Sequence, residues 1–420
     1  MVSPGVMLLM SPATYRAGAF RDAAERVGLP LVTAVDTPAP LLDRVTGQLA
    51  IDFQDRDAVA RLVAWAERHP ETSLRAILAV DDRGAEIAAQ ASAALGLPHN
   101  DPDSALAARD KWVMRQALER GGVPVPRYEA VPADTDPTSI AGQQRYPVVI
   151  KPTLLSGSRG VIRADTPEEF SQAFLRTRHI LERAGMPPRE FPILIEQYVP
   201  GVEVALEGLL TDGELTTLAL FDKPDPLVGP FFEETIYVTP SGLPTDVQAA
   251  ISRRTAESAA AIGLRHGPVH AELRIDQDTG DIWMIELAGR SIGGLCASVL
   301  EFGTGMSLEE LILRHAAGLD LPTTERSGAG AGVMMIPIPR SGFLREVRGQ
   351  DEALRVPGVT GIEITAPCNQ PIQTLPEGES YLGFIFAEGA TAADVERALR
   401  EAHERLEIRI DPTIPLMRAG

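Results

Sequence analysis

Two glutamates, Glu272 and Glu286, lie in the stretch HAELRIDQDTGDIWMIELAGR, residues 270–290. Apolar and polar residues alternate on both sides of QDTGD, which predicts two β-strands joined by a five-residue turn. That turn pairs Glu272 directly with Glu286, and it pairs 274 with 284 and 276 with 282. Because opposed carboxylates repel one another, the arrangement predicts a bridging divalent cation such as Mg²⁺. The alternative is a solvated strand face on which Arg274 neutralises one glutamate.

The same alternation predicts which side chains of the hairpin are buried. We expect one wholly apolar face, made of Ala271, Leu273, Ile275, Trp283, Ile285 and Leu287. The opposite face carries the two glutamates together with His270, Arg274, Met284 and Ala288.

A second candidate site is VVIKPTLLSGSRG, an apolar strand that ends in Lys151 and continues into a loop with Gly157 and Gly160. A lysine at a strand end beside a loop of small residues is well placed to hold nucleotide phosphates. The stretch is not a P-loop, because G-x-x-x-x-G-K-[ST] is absent. The alternative is an exposed hairpin loop.

A third candidate is ILIEQYVPGVEV, where an apolar strand leads into Glu196, Val199 and Glu203. In a nucleotide site, the backbone at such a strand exit can contact the adenine edge, and a carboxylate can accept hydrogen bonds from ribose hydroxyls. The alternative is a strand that ends in a polar turn.

Composition restricts the class of partner. The chain has 420 residues, too many for one typical core, and a net charge of −19. This charge argues against nucleic acid or an anionic membrane as the main partner. The two cysteines, Cys296 and Cys368, cannot form a zinc site by themselves and suggest no disulfide framework. The first apolar run lacks a basic region and is too short for a bilayer, so we expect a cytoplasmic location.

The elements that position these residues follow from periodicity. The first hundred residues alternate strands, VMLLM, PLVTAV and RAILAV, with helices near 15–27, in RDAVARLVAWAERH and in GAEIAAQASAALG. This alternation predicts a doubly wound open parallel sheet. A G-x-G-x-x-G fingerprint is absent after the first strand, so a dinucleotide site is unsupported.

A second unit begins at Asp103-Ser104, a predicted helix N-cap, and its first helix runs through ALAARDKWVMRQALER to Gly121. We expect further helices at 167–184 and 245–262 and strands at 202–210 and 215–221. The end of the chain holds the strands AGVMMIPI and SYLGFIFAEG and the helix TAADVERALREAHERL.

The order of these pieces resembles the ATP-grasp ligases. The matching stretches are ARDKWVMRQALERGGVPVPR, YPVVIKPTLLSGSRGV, ILIEQYVPGVEV, FDKP and GPVHAELRIDQDTGDIWMIELAGRSIGG. The resemblance covers the whole chain and is strongest at 104–320. It implies a multi-domain α/β and α+β protein: an N-terminal doubly wound parallel-sheet domain (1–103), an ATP-grasp domain (104–325) with a mobile lid at about 124–200, and a C-terminal α+β subdomain (326–420).

The resemblance also implies roles for individual residues, with ATP and Mg²⁺ (or Mn²⁺) as cofactors. Two lysines, Lys111 and Lys151, contact the nucleotide phosphates, and the loop 156–160 closes over them. Glu272 and Glu286 hold the metal. The remaining nucleotide contacts are Ser156, Gly157, Ser158 and Gly160 in the loop, Glu196, Tyr198 and Val199 at the adenine, and Glu203 at the ribose.

One position departs from the family pattern. Many ATP-grasp ligases have Asn two residues after the second glutamate as a further metal ligand, and here Ala288 stands there, followed by Arg290. The number of metal ions is therefore open. The variant resembles the L-amino-acid ligase branch, which joins two amino acids into a dipeptide. The implied reaction activates a carboxylate as an acyl phosphate, which an amine then attacks, with release of ADP and phosphate.

Further residues are candidates for the substrates. Arg290 is expected to hold the acyl phosphate or a substrate carboxylate, with an ion pair to a neighbouring glutamate as the alternative. Lys223 is expected to reach the γ-phosphate, unless it is a plain surface lysine. The substrate candidates are Glu233 and Glu234 for an ammonium, unless they lie in a solvated turn, His270 as a pocket residue or a hydrogen-bonded strand histidine, and Gly293 and Gly294 for close backbone approach. Cys296 is expected in the core.

Three functions remain open at this point: a carboxylate–amine ligase, a biotin-carboxylase-like or purine-pathway carboxylase that activates bicarbonate, and a regulatory module that binds nucleotide without turnover. The resemblance favours the first, with small-molecule amino-acid substrates and no nucleic acid or membrane partner. It leaves the substrates and the oligomeric state open, and a homodimer is common among similar proteins.

Overall fold

The first hundred residues form a parallel sheet with helices on both faces. This computed structural model describes residues 4–12, 14–44, 49–326 and 328–412; the ends of the predicted first and third domains, 1–3 and 413–420, lie outside them. The strand order is β3-β2-β1-β4. The elements are β1 (Gly5–Met10), α1 (Ala17–Val27), β2 (Leu31–Asp36), β3 (Leu49–Ile51), α2 (Ala58–Arg68), β4 (Leu74–Ala79) and α3 (Asp82–Leu95).

The central strand β1 explains why this unit is doubly wound. Every residue of β1 is buried, as its continuous apolar run indicates. Val6 and Leu8 pack on the side of α1, whereas Met7 and Leu9 pack on the side of α2 and α3. The predicted fold class is confirmed here, and the short strand β3 is an element that the sequence pattern missed.

The helix predicted from Asp103 to Gly121 is two helices, α4 (Pro102–Ala107) and α5 (Lys111–Arg120). The single-helix prediction was wrong because Asp110 takes an extended backbone conformation and caps α5, accepting hydrogen bonds from the backbone N–H of Trp112 and Val113. The cap places Lys111 at the first position of α5.

The next unit is an antiparallel sheet of order β5-β8-β6-β7, packed against one long helix. Phe170 and Phe174 of the helix lie in its core, beside Ile150 and Ile193. We call this unit the lid. Its elements are β5 (Tyr128–Pro132), α6 (Thr138–Ala141), β6 (Val148–Pro152), β7 (Ile162–Ala164), α7 (Pro167–Arg183) and β8 (Pro192–Gln197).

The rest of the chain is built on an eight-stranded antiparallel sheet of order β13-β12-β9-β10-β11-β16-β20-β18. Strands from both sides of residue 325 share it, so the predicted boundary between the second and third domains stays a prediction. The elements are β9 (Val202–Thr211), β10 (Glu214–Asp222), β11 (Ile236–Thr239), α8 (Thr245–Ile262), β12 (Gly267–Ile275), β13 (Ile282–Ala288), β14 (Glu301–Phe302), β15 (Met306–Ser307), α9 (Leu308–Ala316), β16 (Gly330–Ile336), β17 (Gly342–Arg348), α10 (Gln350–Leu354), β18 (Val359–Ile364), β19 (Pro371–Ile372), β20 (Gly383–Gly389), α11 (Ala392–Glu404) and β21 (Glu407–Asp411).

The hairpin β12–β13 confirms one predicted pairing and corrects two. Glu272 pairs with Glu286, but Arg274 pairs with Trp283, and Ile275 with Ile282, because a β-bulge interrupts the register after Glu272. The pairings of 274 with 284 and of 276 with 282 were wrong for this reason. A bulge adds one unpaired residue to one strand and redirects its side chains.

The bulge also exchanges side chains between the faces of β13. Met284, predicted on the polar face, is fully buried in the core beneath the sheet. Ile285, predicted in that core, lines a cavity on the other side together with Glu286.

Among the described residues, no helix has the length and apolar character needed to cross a membrane.

Candidate active site

A cavity of about 330 Å³ lies where the lid, α5 and the hairpin β12–β13 meet. Sixteen of the residues predicted from the sequence line it: Lys111, Lys151, Ser156, Gly157, Ser158, Glu196, Tyr198, Val199, Glu203, Glu234, His270, Glu272, Glu286, Arg290, Gly293 and Gly294. The other three, Gly160, Lys223 and Glu233, lie outside its lining. The geometry thus brings the candidates together, while the role of each one stays a prediction.

Lys111 connects the lid to the hairpin. Its ammonium donates to the carbonyl oxygen of Leu155 at 3.0 Å and to Oε1 of Glu286 at 3.2 Å. Its backbone N–H donates to the carbonyl oxygen of Thr153 at 2.9 Å. The lysine therefore positions the start of the loop 156–160, which we call the glycine loop, beside Glu286, the second glutamate of the predicted metal pair.

Glu196, at the end of β8 in the lid, lies between two cations, Lys151 of the lid and Arg115 of α5. Its carboxylate accepts from Nε of Arg115 at 2.5 Å and forms an ion pair with Lys151. Although burial opposes ionisation, Arg115 and Lys151 together lower the pKa of Glu196. Burial lowers the pKa of Lys151, and Glu196 offsets only part of that effect. We call Arg115, Lys151 and Glu196 the lid cluster.

Arg115 is a site residue that the sequence reasoning missed. It is fully buried, and its Nη2 also donates to the carbonyl oxygen of Ile285, the extra residue of the bulge, at 2.7 Å. The guanidinium therefore satisfies a carbonyl at the irregularity that redirects the hairpin. Arg115 stands four residues after Lys111, on the same face of α5, and this spacing is the signal that was available.

On the sheet side of the cavity, one ammonium lies among three carboxylates. Nζ of Lys223 is 2.8 Å from Glu203 and 3.8 Å from Glu272, and it donates a hydrogen bond to Glu234. The hydroxyl of Tyr237 donates to Glu234 at 2.8 Å. We call Lys223, Glu203, Glu234 and Glu272 the sheet cluster. Lys223 is buried behind the cavity lining, not a surface lysine.

The charges of the sheet cluster shift one another's ionisation. Burial and the charge of Glu272 raise the pKa of Glu234 to about 7. Although burial opposes it, Lys223 and His270 lower the pKa of Glu272 well below its usual range. Glu203 and Glu234 raise the pKa of Lys223 despite its burial. Lys223 therefore stays an ammonium, and Glu234 titrates near neutrality.

His270 is a buried strand histidine with acidic neighbours on two sides. Its Nδ1 lies 2.5 Å from Glu207, and its Nε2 lies 3.4 Å from Glu272. Burial opposes protonation, but the charge of Glu207 raises the pKa of His270 to about 9. Glu207, which the sequence reasoning did not single out, also accepts from the backbone N–H of Ile292 at 3.1 Å. It therefore fixes the loop that follows the hairpin.

Arg274 does not neutralise the opposed glutamates, as one interpretation of the sequence required. Its guanidinium lies 3.4 Å from Glu203 and donates to the carbonyl oxygens of Leu227 and Gly201 at 2.9 Å each. It also lies 5.2 Å from the ring of Tyr198. The strand face is therefore a buried network, and the solvated alternative was wrong.

Arg290 forms an ion pair across the molecule. Its Nε and Nη2 donate to the two carboxylate oxygens of Asp82, at 2.7 and 2.9 Å. Asp82 begins α3 of the N-terminal unit, so the partner is not the neighbouring glutamate considered from the sequence. Although burial opposes ionisation, Arg290 lowers the pKa of Asp82. The pair joins the parallel sheet to the cavity wall.

The remaining substrate candidates are Gly293, Gly294 and Glu233. Gly294 has a φ of 59°, and a Cβ there would lie 3.0 Å from the ring of Phe384. A side chain at this position would be both strained and crowded. Glu233 is partly buried, and this burial raises its pKa. Cys296 is buried, as expected.

The donor set fits a hard divalent cation. Carboxylate oxygens of Glu203, Glu234 and Glu272 all lie within 4.8 Å of one another. Glu286, paired with Glu272 across the hairpin, instead has an oxygen near Lys111. Mg²⁺ accepts oxygen ligands of this kind, so these residues could hold it. The carboxylates near Glu272 include Glu203 and Glu234, which the sequence reasoning had not considered as ligands.

Comparison with protein-family models gives two matches. Residues 144–299 match the ATP-grasp domain, and residues 334–411 match the L-amino acid ligase C-terminal domain 2. These matches confirm the resemblance predicted from the sequence.

Two curated relatives match part of this chain. An alanine–anticapsin ligase of Bacillus subtilis is 28% identical over 240 residues, covering 54% of this chain and 50% of that protein. An uncharacterised protein of Sinorhizobium fredii is 24% identical over 316 residues, covering 75% of this chain and 64% of that protein. The chain thus spans about half to two thirds of the length of these relatives.

Among solved structures, an L-amino acid ligase from Bacillus licheniformis superposes with a TM-score of 0.81 at 24% identity. The superposition covers 97% of this chain and 99% of that one. At this level of identity, the likeness establishes the fold.

Proposed function

We propose that this chain, which carries an ATP-grasp domain followed by an L-amino acid ligase C-terminal domain, is an ATP-dependent carboxylate–amine ligase. One amino acid would be activated at its carboxylate by ATP as an acyl phosphate. The amine of a second amino acid would then attack the acyl carbon, and ADP and phosphate would be the by-products.

One observation carries the proposal: in a single cavity, two lysines lie beside the glycine loop and four glutamates lie together on the sheet side. Two lysines, Lys111 and Lys151, line it beside the glycine loop, and four glutamates line it on the sheet side: Glu203, Glu234, Glu272 and Glu286. Phosphoryl transfer depends on positioning and charge neutralisation more than on covalent help from the protein. Nucleotide phosphates match the lysines, and a divalent cation matches the glutamates.

The chain's own residues would divide the work as follows. Lys111 and Lys151 would bind phosphate oxygens, and Glu272 with Glu286 would hold the metal, which supplies charge neutralisation when bound. Tyr198, whose ring lies 4.2 Å from the guanidinium of Arg163 and 5.2 Å from that of Arg274, would border the nucleotide base.

Two residues at the far end of the cavity are suited to the amino acids. Arg290 would orient a substrate carboxylate or the acyl phosphate, although its Nε and Nη2 already contact Asp82. Glu234 would receive a substrate ammonium, since an acidic side chain with a pKa near 7 can carry the negative charge when a cation approaches.

The test is release of ADP and phosphate with ATP and Mg²⁺ against a matrix of amino-acid pairs, with bicarbonate as a separate arm and mass spectrometry on every positive well. A pair-dependent signal, with a product whose mass is the sum of both amino acids less water, would support the ligase and identify its substrates.

Two other outcomes would contradict the ligase. Release with bicarbonate and silence with amino acids would favour a carboxylase. ATP binding without ADP formation in any well would favour a regulatory module. Wells that lack the second amino acid serve as the control, because they separate ligation from uncoupled ATP hydrolysis.

A further inference from the structure

A short segment of the C-terminal part of the chain, residues 376–381, contacts the lid, and we call it the latch. It lies between β19 and β20. Its backbone is fixed at both ends: the N–H of Gly378 donates to the carbonyl oxygen of Thr374 at 2.9 Å, and the N–H of Leu382 donates to that of Ile336 in β16 at 2.9 Å. The latch is therefore a loop whose C-terminal end is anchored to β16 of the eight-stranded sheet.

Two arginines of the lid form ion pairs with two glutamates of the latch. Arg176 on α7 donates from Nε and Nη2 to both oxygens of Glu377, at 2.6 and 2.8 Å. Arg159 in the glycine loop donates to Glu379 at 2.9 Å. The bidentate geometry of the first pair fixes orientation as well as distance.

Backbone contacts bring the latch directly onto the glycine loop. The N–H of Gly160 donates to the carbonyl oxygen of Pro376 at 2.8 Å, and the carbonyl oxygen of Gly160 accepts from Oγ1 of Thr177 in α7 at 3.0 Å. A Cβ at Gly157 would lie 3.3 Å from the carbonyl oxygen of Glu379. The loop thus lies between its own helix and the latch.

The glycine loop has a backbone conformation that needs such support. Gly157, Ser158 and Gly160 all have positive φ, at 63°, 54° and 74°. Serine rarely adopts this conformation, and such residues persist only where the surroundings hold them. The latch supplies the contacts outside the lid that do so.

The latch also reaches the cavity itself. Glu379, Ser380 and Tyr381 line it, together with Phe384 and Met335 of the sheet. One segment therefore contacts the loop predicted to cover the phosphates and also forms part of the cavity lining.

We propose that residues 376–381 hold the loop 156–160 closed over the nucleotide phosphates, with Glu377 and Glu379 as positioning residues, and that this closure keeps water from the acyl phosphate. The inference rests on the proposed function. If the loop opened, water would replace the amine: its oxygen would bond to the acyl carbon, the bond from that carbon to the phosphate oxygen would break, and free carboxylic acid and phosphate would leave.

The experiment uses charge reversal and charge exchange. The variants are Glu377→Arg, Arg176→Glu and the double exchange, with Glu377→Gln as a milder change. The matched control is Glu401→Arg, because Glu401 forms a comparable exposed ion pair with Arg405, at 3.0 Å on α11. Hydrogen exchange of the backbone at 154–163, in the full-length protein with and without ATP and Mg²⁺, reports the Gly160 bond without requiring turnover.

We expect each single reversal to raise hydrogen exchange at 154–163 and to raise the KM for ATP about 5-fold, the upper range for one exposed ion pair. The phosphate released per amide formed should also rise, while the KM for the amino acids changes little. The double exchange should restore all three quantities toward wild type, and Glu401→Arg should leave them unchanged. A purely structural contact would not raise the ratio of phosphate to amide.

These results distinguish failure of the latch proposal from failure of the proposed ligase function. Unchanged exchange at 154–163 in Glu377→Arg, or no recovery in the double exchange, would overturn the latch whatever the wild type catalyses. Increased exchange that the double exchange reverses, in a protein that forms no amide from any amino-acid pair, would support the latch contact and contradict the proposed ligase instead.

Discussion

The lid cluster and the sheet cluster face the same cavity but have opposite compositions. In the lid cluster, two cations, Arg115 and Lys151, flank the single carboxylate of Glu196. In the sheet cluster, the single ammonium of Lys223 lies among the three carboxylates of Glu203, Glu234 and Glu272. With every group ionised, two cations less one carboxylate leave +1 in the lid cluster. On the sheet side, Arg274 and His270 add two cations and Glu207 adds a fourth carboxylate, so three cations less four carboxylates leave −1.

The difference shows how a protein can keep a charged site folded and still attract a charged ligand. Buried charges are tolerated only when they are paired, and both clusters meet this condition. Each cluster nevertheless has an uncompensated remainder, and the two remainders have opposite signs. The lid cluster therefore favours an anion such as a phosphate, and the sheet cluster favours a cation. The lid cluster alone would account only for the nucleotide phosphates, and the sheet cluster alone only for the metal ion.

The largest effect should follow from removing the one cation of the sheet cluster. We expect Lys223→Met to lower the free energy of unfolding by about 3–5 kcal/mol, because Glu234 loses the ammonium that pairs with it, and Glu203 and Glu272 keep only Arg274 and His270. Mg²⁺ should then raise the melting temperature of this variant more than that of wild type, since a divalent cation replaces the ammonium. Thermal denaturation with increasing Mg²⁺ checks this, with Arg254→Met, which loses an ion pair on α8, as the control.

An equal response of wild type and Lys223→Met to Mg²⁺ would break the comparison, because it would mean that the excess of carboxylates is not a cation site. K⁺ at the same ionic strength distinguishes specific binding from screening.

The next effect concerns Glu286, which pairs with Glu272 of the sheet cluster in the hairpin and contacts Lys111 of α5. We expect Glu286→Gln to leave the fold intact and to lower the rate of ADP formation by at least about 100-fold, since even outer-shell partners of a metal contribute 10- to 100-fold. Single-turnover ADP formation and circular dichroism measure the two parts. Turnover at the wild-type rate in this variant would contradict the prediction that Glu286 is a metal ligand.

The lid cluster allows the mirror-image experiment. Glu196→Gln leaves Arg115 and Lys151 without their carboxylate, and we expect a loss of about 1.5–3 kcal/mol, the range for a hydrogen bond to a charged group. Anions should compensate here: sulfate or ATP should stabilise this variant more than wild type, whereas Mg²⁺ alone should not. Stabilisation by Mg²⁺ alone would contradict the assignment of opposite signs to the two clusters.

The sequence predicted the separate parts of the site better than the contacts between them. Period-two alternation predicted the opposed pair of Glu272 and Glu286, and it is confirmed because the turn is near enough in sequence to fix that pairing. The bulge after Glu272 was missed, since Ile285 is as apolar as a core residue and its carbonyl is satisfied by Arg115, from an element far away in sequence. The local sequence pattern around Ile285 cannot predict a partner that distant in sequence.

The same reason explains the other omissions. Arg290 was singled out from its motif, but its partner Asp82 lies 208 residues away and follows a strand of a different sheet. Glu203 and Glu234 were predicted for the ribose and for a substrate ammonium, yet they converge on Lys223 through adjacent strands and the segment before β11. Pairwise spacing identifies residues on one element, whereas convergence of several elements requires the fold.

The last test concerns whether the sheet cluster has more carboxylates than it can ionise at neutral pH. Glu234 has a pKa of about 7, above the ordinary 4.5. A raised carboxyl pKa favours the folded state fully below about pH 4.5, and this contribution is lost as the pH rises through 7. We therefore expect wild type to lose about 3 kcal/mol more stability than Glu234→Gln between these values, because the pKa differs by about 2.5 units and each unit corresponds to about 1.4 kcal/mol. Glu388→Gln, at an exposed site on β20, is the control. Parallel curves of unfolding free energy against pH for wild type and Glu234→Gln would show that Lys223 keeps Glu234 ionised across this range.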